Sequence, residues 1–139
     1  MRTFYVFKIT DEFANLTKDC PFNLYKSMEQ IYFLNKKDFD LAYRMFETIA
    51  VAFSKKEINH IIFSDYRHNE FYTKFNNTHM LNNYYSDEQT ELTVRNAHLV
   101  IKSNSNTPAF LNDLRKEKNL FICDFGNKDY FWLEQIQYS

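Results

Sequence analysis

The spacing of apolar residues changes along the chain, and the order of these changes constrains the fold more than any other feature of the sequence. Residues 3–9 alternate in the manner of a strand, whereas apolar residues between 21 and 62 recur with the 3.6-residue period of helices. Alternation returns at residues 71–75 and again from residue 90, and one short helical stretch after Thr107-Pro108 interrupts it. Strands and helices grouped in runs predict an α+β fold, in which a mainly antiparallel sheet packs with several helices. The regular strand–helix alternation of a doubly wound fold is missing.

Capping and first-turn residues divide the helical region into separate elements. Four positions suit helix starts: Thr10, Pro21, Asp38 and Ser54. The first start predicts only a short turn, and the second predicts a helix that extends to about Leu34. The third helix keeps its apolar period as far as Phe53. The fourth begins with Ser54-Lys55-Lys56-Glu57, a capping box.

Strand and turn signals dominate the second half of the chain. Strands are predicted at residues 71–75, 90–95, 97–102, 119–125 and 130–133. The second and third of these form a hairpin around Asn96-Ala97. Thr107-Pro108 begins a short last helix. The polar stretch 76–89 gives no assignment.

Length and composition indicate one compact domain over residues 1–139. The 15 Phe and 10 Tyr residues predict a core rich in aromatic side chains. A formal net charge of −1 gives no overall field that would attract nucleic acid or an anionic membrane. No stretch reaches the roughly 18 apolar residues that a membrane span needs. We therefore expect a monomer that contacts neither nucleic acid nor membrane directly.

The two cysteines, Cys20 and Cys123, lie far apart in the sequence. No export signal is recognised at the start of the chain, so we expect reduced thiols and a cytoplasmic location. Cys123 lies in an apolar run and is interpreted as a small core residue.

The scarcity of glycine excludes whole classes of nucleotide site. Loops that cradle phosphate need several glycines, and Gly126 is the single glycine in the sequence. Asp124-Phe125-Gly126 spells the metal-binding trio of protein kinases, but the chain is too short and lacks the other kinase motifs.

No sequence pattern points to catalysis, a metal or a cofactor. The four histidines form no HExxH pattern, and no CxxC pattern occurs. A thiol–histidine pair at Cys123 is conceivable, but its apolar neighbours argue against a reactive thiol. Acidic pairs such as Asp38 and Asp40 are better explained as helix caps. We expect a protein that is not an enzyme.

The segment after the first strand carries candidate residues for recognition. Phe13, Asn15 and Leu16 lie on a short turn there. A large apolar side chain on such a turn is usually part of the core. The neighbouring elements already have complete apolar faces, however, so an aromatic anchor for a partner's pocket is the alternative.

The two ends of the chain carry distinctive patterns. Residues 4–15, FYVFKITDEFAN, form an aromatic strand followed by acidic-acidic-Phe-Ala-Asn. Residues 120–133, LFICDFGNKDYFWL, form an apolar strand that leads to Asp-Phe, a polar turn and an aromatic–Trp–Leu segment. Both patterns resemble the SirA family, the sporulation inhibitor of replication family of low-GC Gram-positive bacteria. Residues 1–139 therefore resemble a single SirA-like domain.

This resemblance implies a function. Members of the family bind the N-terminal domain of the replication initiator DnaA and block initiation at the origin, with no known catalysis or cofactor. By position, Phe13 corresponds to an aromatic contact residue of the family, and a second family aromatic falls at Thr17. The middle helix helps to line the same interface. The implied partner-binding residues are Phe13, Asn15, Leu16, Thr17, Tyr43, Arg44 and Glu47.

Three hypotheses follow. The first is an inhibitor that binds DnaA, and the second is an adaptor of the same fold with a different protein partner. The third is an enzyme or a nucleic-acid binder. A pocket joining Cys123, a histidine and a carboxylate would support the enzyme, and interleaved lysines and aromatics at Lys8, Lys26 and Lys74 support the nucleic-acid binder.

Overall fold

The computed structural model describes residues 1–34 and 38–135. Its elements in chain order are β1 (Arg2–Ile9), α1 (Asp11–Thr17), α2 (Pro21–Tyr32), α3 (Phe39–Ile49), β2 (Ala50–Val51), α4 (Lys55–Tyr66), β3 (Tyr72–Phe75), β4 (Thr78–Asn83), β5 (Glu88–Val94), β6 (Leu99–Ser103), α5 (Ala109–Asp113), β7 (Leu120–Asp124) and β8 (Asp129–Trp132). Short 3-10 turns at Leu114–Lys116 and Leu133–Gln135 follow α5 and β8. No helix in the described ranges is both long and apolar enough to cross a membrane.

The strands form one sheet, and β1 lies inside it. The strand order is β3-β4-β5-β6-β1-β7-β8, and β2 pairs with β1. Every pairing is antiparallel. The predicted α+β fold with a mainly antiparallel sheet is therefore confirmed.

Side chains of β1 alternate between two hydrophobic clusters, one on each face of the sheet. Phe4 and Val6 lie in the cluster that also contains buried residues of α4 and α5. Phe7 and Ile9 lie in the cluster that contains buried residues of α1, α2 and α3. This alternation follows from the two-residue period of a strand. Each large apolar side chain buried in this way stabilises the fold by about 1.5–3 kcal/mol.

Two of the predicted caps are confirmed and one is wrong. The Thr10 hydroxyl accepts a hydrogen bond from the Phe13 amide at 3.2 Å, and the Ser54 hydroxyl accepts one from Glu57 at 3.3 Å. Asp38 directly precedes α3 but makes no capping bond through its side chain. Its backbone, with φ −105° and ψ 27°, lies outside the extended region typical of a capping residue.

The third helix ends earlier than its apolar period predicts. It stops at Ile49, and the next two residues form β2, in which Ala50 lies opposite Ile9 and Val51 opposite Lys8. Pairing with β1 satisfies backbone groups in this segment, and β-branched Val51 suits a strand. Phe53 is buried as expected, but it is not part of the helix.

Strand β4 lies in the stretch that the sequence left unassigned. Its inward positions are His79 and Leu81, both buried. The hairpin around Asn96-Ala97 is confirmed by the pairing of β5 with β6. The last two strands also pair as predicted, across the turn that contains Gly126.

Candidate protein-interaction surface

Helix α1 presents its predicted contact residues in different ways. Phe13 is half-buried and packs against the cluster beneath α1, α2 and α3. Leu16 is 67% exposed, and Asn15 is exposed beside it. Thr17 is buried, and its hydroxyl donates to the Phe13 carbonyl at 2.6 Å within the helix. Leu16 is therefore the large apolar side chain that this helix offers to solvent.

The start of α1 is fastened to the loop before β7. The Asn119 amide donates to Asp11 Oδ1 at 2.6 Å, and Lys118 Nζ lies 3.2 Å from the same oxygen. The bonds from Lys118 and Asn119 hold the pKa of the Asp11 carboxyl below its ordinary value. These contacts fix where α1 leaves the sheet and hence the direction in which Leu16 projects.

The predicted residues of α3 are exposed. Tyr43 is 61% exposed, and Arg44 and Glu47 are exposed beside it on the same helix. A hydrogen bond to Glu47 raises the pKa of the Tyr43 hydroxyl. The Thr10 amide donates to the Ile49 carbonyl at 2.9 Å, so the end of α3 and the start of α1 meet at one point of the sheet.

A groove of about 820 Å³ lies beside α2 and α3, and we call it the α2–α3 groove. Its wall contains Tyr43 and Glu47, whereas Phe13, Asn15, Leu16 and Thr17 lie outside it. The structure thus brings two of the predicted contact residues together in this groove and leaves the α1 residues on a separate helix. Within the described part of the chain, the rings that line it are those of Phe7, Tyr32, Phe39, Tyr43, Phe46 and His98.

The sequence reasoning missed the groove because it assigned the apolar stripe of α3 to the core. Only Ile49 of this helix is buried, whereas Ala42 and Phe46 of the same stripe are half-buried and line the groove. The sequence did contain a signal. Phe39 and Tyr43, four residues apart, place two rings together at one edge of the core stripe of this helix.

His98 closes one side of the groove in an aromatic setting. Its ring lies 5.6 Å from the Tyr5 ring and 5.7 Å from the Phe7 ring. Burial, with a smaller contribution from Arg95, lowers the pKa of His98. The imidazole is therefore kept in its neutral form.

The Asp-Phe pattern near the chain end joins β7 to α2. The Asp124 carboxylate is buried, accepts a bond from Arg2 Nε at 2.9 Å and accepts another from the Asn127 side chain at 2.7 Å. Phe125 stacks on Tyr32 with ring centres 4.8 Å apart. The pattern thus holds the end of α2 against the sheet, beside the groove.

Metal-binding groups and the buried cysteine were the remaining candidates for chemistry. No group of three or more His, Cys, Asp or Glu side chains there could hold a metal ion. Cys123 is fully buried, as expected for a core residue, and burial raises the pKa of its thiol. A buried thiol of raised pKa is a poor nucleophile.

Comparison with known families decides the identity. The family model for sporulation inhibitor of replication protein SirA matches residues 2–137 of the chain. The chain belongs to the SirA family. No curated protein matches it. Membership supports a general role in inhibiting replication, linked by the family description to sporulation, and a regulatory function that acts through protein interaction.

Proposed function

We propose that this SirA-family chain binds the N-terminal domain of DnaA and thereby blocks initiation at the origin. The match to the SirA family over residues 2–137 is the observation that carries the proposal. In this proposal the protein acts in the cytoplasm as a monomer, performs no catalysis and needs no cofactor.

Exposed apolar side chains on α1 and α3 support binding to a protein. Leu16 is the anchor on α1, with the half-buried edge of Phe13 and the exposed Asn15 beside it. Tyr43 supplies a second apolar contact on α3, flanked by charged residues on the same helix. A large apolar side chain that enters a partner's pocket, with polar groups around it that exclude water, is the usual composition of a binding hot spot.

Inhibition in this proposal is a matter of occupancy. The inhibitor covers the surface of DnaA's N-terminal domain that DnaA needs for self-assembly or for loading its partners. Arg44 and Glu47 adjust specificity and association rate, since exposed charges at the edge of an interface contribute more to these than to affinity.

One observation favours the second candidate, an adaptor with another protein partner. The family's second aromatic contact falls at Thr17, and the Thr17 side chain is buried in a bond to the Phe13 carbonyl. The aromatic contact is therefore absent from this surface, which would weaken recognition of the family's partner. Binding to DnaA separates the two candidates.

Induced expression in the chain's own host tests the proposed function. We expect the ratio of origin-proximal to terminus-proximal DNA to fall towards one, because rounds already begun finish while new rounds do not start. The doubly substituted variant Leu16→Ala/Tyr43→Ala should leave the ratio at its uninduced value. Tyr84→Ala is the control, since this exposed tyrosine lies outside α1 and α3. An unchanged ratio with folded, unmodified protein would contradict the proposal.

A further inference from the structure

The α2–α3 groove is large, apolar and bordered by exposed aromatic rings. Its volume of about 820 Å³ lies in the range of sites that hold a sizeable ligand. Phe39 and Tyr43 line it from one side of α3 and are themselves largely exposed. A small molecule in the groove would leave the outer edges of these two rings in water. A segment of a protein would cover both.

The groove has one charged lining residue. Among the described residues of its wall, Glu47 is the only Asp, Glu, Lys or Arg, and burial lowers the pKa of His98 on the other side, which favours its neutral form. Within the described part of the chain, no cation lies within salt-bridge distance of Glu47. The Glu47 carboxylate lies near the Tyr43 hydroxyl and raises its pKa. An apolar wall with one carboxylate that has no cation beside it among the described residues complements apolar side chains that are accompanied by one cation.

The geometry points to an amphipathic helix of a partner protein as the occupant of the α2–α3 groove, with a Lys or Arg of that helix paired to Glu47. Packing an apolar helix face into a groove is a common mode of peptide recognition. The aromatic wall suits an arginine in particular, because a guanidinium also stacks on rings such as Tyr43. This inference rests on the proposed function in one respect, namely that the partner is a protein.

Two synthetic peptides test the groove without DnaA. Each is a fluorescein-labelled 14-residue amphipathic helix with leucines on one face, and the two differ only in having Arg or Glu beside that face. Fluorescence anisotropy against the full chain should show the Arg peptide binding at least tenfold tighter than the Glu peptide. Equal affinities, or no binding of the Arg peptide, would overturn the inference.

Two variants locate the binding. Glu47→Lys should reverse the preference between the peptides, because it changes the sign of the charge that the described residues place in the wall. Ala42→Trp fills the groove from α3 and should weaken both peptides at least tenfold. Tyr84→Ala is the matched surface control and should bind as the unmodified protein does. Circular dichroism checks that each variant is folded, and Glu47→Lys, an exposed substitution, keeps the test valid if Ala42→Trp does not fold.

The peptide experiment and the test of the proposed function can fail independently, because DnaA is absent from the peptide experiment. Affinity that is insensitive to both Ala42→Trp and Glu47→Lys would overturn the groove as the binding site. That result would leave the DnaA proposal to its own test.

Discussion

At the level of single residues, the predicted contact residues Phe13 and Leu16 differ in how much of the side chain is exposed. Phe13 lies partly within the core cluster, so its truncation would remove packing as well as any contact with a partner. Leu16 has little contact to lose because most of its surface is in water. The sequence alone does not show which of two apolar residues on one short helix is exposed. Their exposure depends on how α1 is held against the sheet.

His79 joins three elements through a buried network. The Asn59 amide nitrogen donates to Asn77 at 2.9 Å, so Asn59 Oδ1 faces His79 and accepts from its Nε2–H at 2.7 Å. His79 Nδ1 then accepts from the Tyr72 hydroxyl at 2.7 Å. Both ring nitrogens are satisfied in the neutral state, and protonation would break the bond from Tyr72. Burial, with a smaller contribution from Lys74, lowers the pKa of His79 to about 4.

This network predicts a pH-dependent contribution to stability. The ordinary pKa is 6.5, so the unfolded chain takes up this proton first and His79 stabilises the fold fully only above about pH 6.5. The contribution falls by roughly 3 kcal/mol as the pH drops from 6.5 to 4. The difference in unfolding free energy between unmodified protein and His79→Gln, from urea titrations, should therefore grow between pH 4.5 and 6.5.

Asp113 has a pH-dependent contribution to stability of the opposite sign, and comparison with the His79→Gln variant removes it. Burial raises the pKa of Asp113 to about 6, so its contribution is lost as the pH rises. That contribution is common to both proteins and cancels in the difference. Phe75→Ala, a change at a largely exposed side chain that does not titrate, is the control and should leave the pH profile as it is. A difference for His79→Gln that does not vary with pH would contradict the account.

At the level of elements, the caps and apolar periods predicted where most helices and strands lie, and tertiary pairing decided the rest. Thr10 and Ser54 carry their signals locally, so their helices begin as expected. The end of α3 is set by the pairing of Ala50 with Ile9 of β1, which no local pattern contains. Strand β4 was not predicted, because its first inward residue, His79, is polar and interrupts the apolar alternation.

The turn between β7 and β8 is the element whose packing is most readily tested. Phe125 is 8% exposed and lies between rings of β1 and α2, with Tyr32 and Tyr5 at 4.8 and 5.5 Å. We expect Phe125→Ala to lower the free energy of unfolding by about 3 kcal/mol, because it leaves a cavity in this cluster. Phe75→Ala is chemically identical at a side chain that is 77% exposed, and should change it by at most about 0.5 kcal/mol. Equal effects in denaturant titrations would contradict this packing.

At the level of the whole molecule, the order of strand-like and helix-like apolar spacing predicted the fold class. It did not predict the order of the strands in the sheet. Grouped strands and helices indicated α+β with an antiparallel sheet. The pairing of β1 with both β6 and β7 brings together segments from opposite ends of the chain. Such pairing depends on complementary apolar faces, and many strand orders satisfy the same alternation. The patterns at the two chain ends meet in this sheet, where Arg2 binds Asp124 at 2.9 Å.

The candidate site was predicted in part for the same reason. The sequence supplied the exposed residues of α3, including Tyr43 and Glu47. The sequence did not predict the α2–α3 groove, because a groove depends on the distance between elements that pack together. The contribution of Tyr32 and His98 to its wall depends on α2 and the β5–β6 turn meeting in space.

Calorimetric titration of the protein into the N-terminal domain of DnaA from the same organism tests the central claim most directly. The account predicts binding in the micromolar range or tighter. Leu16→Ala should weaken it by at least about 2 kcal/mol, roughly thirtyfold, without a change in thermal stability. Phe13→Ala should lower both affinity and stability, since its side chain also packs in the core. Absence of binding by the folded, unmodified protein would contradict the claim and favour an adaptor with another partner.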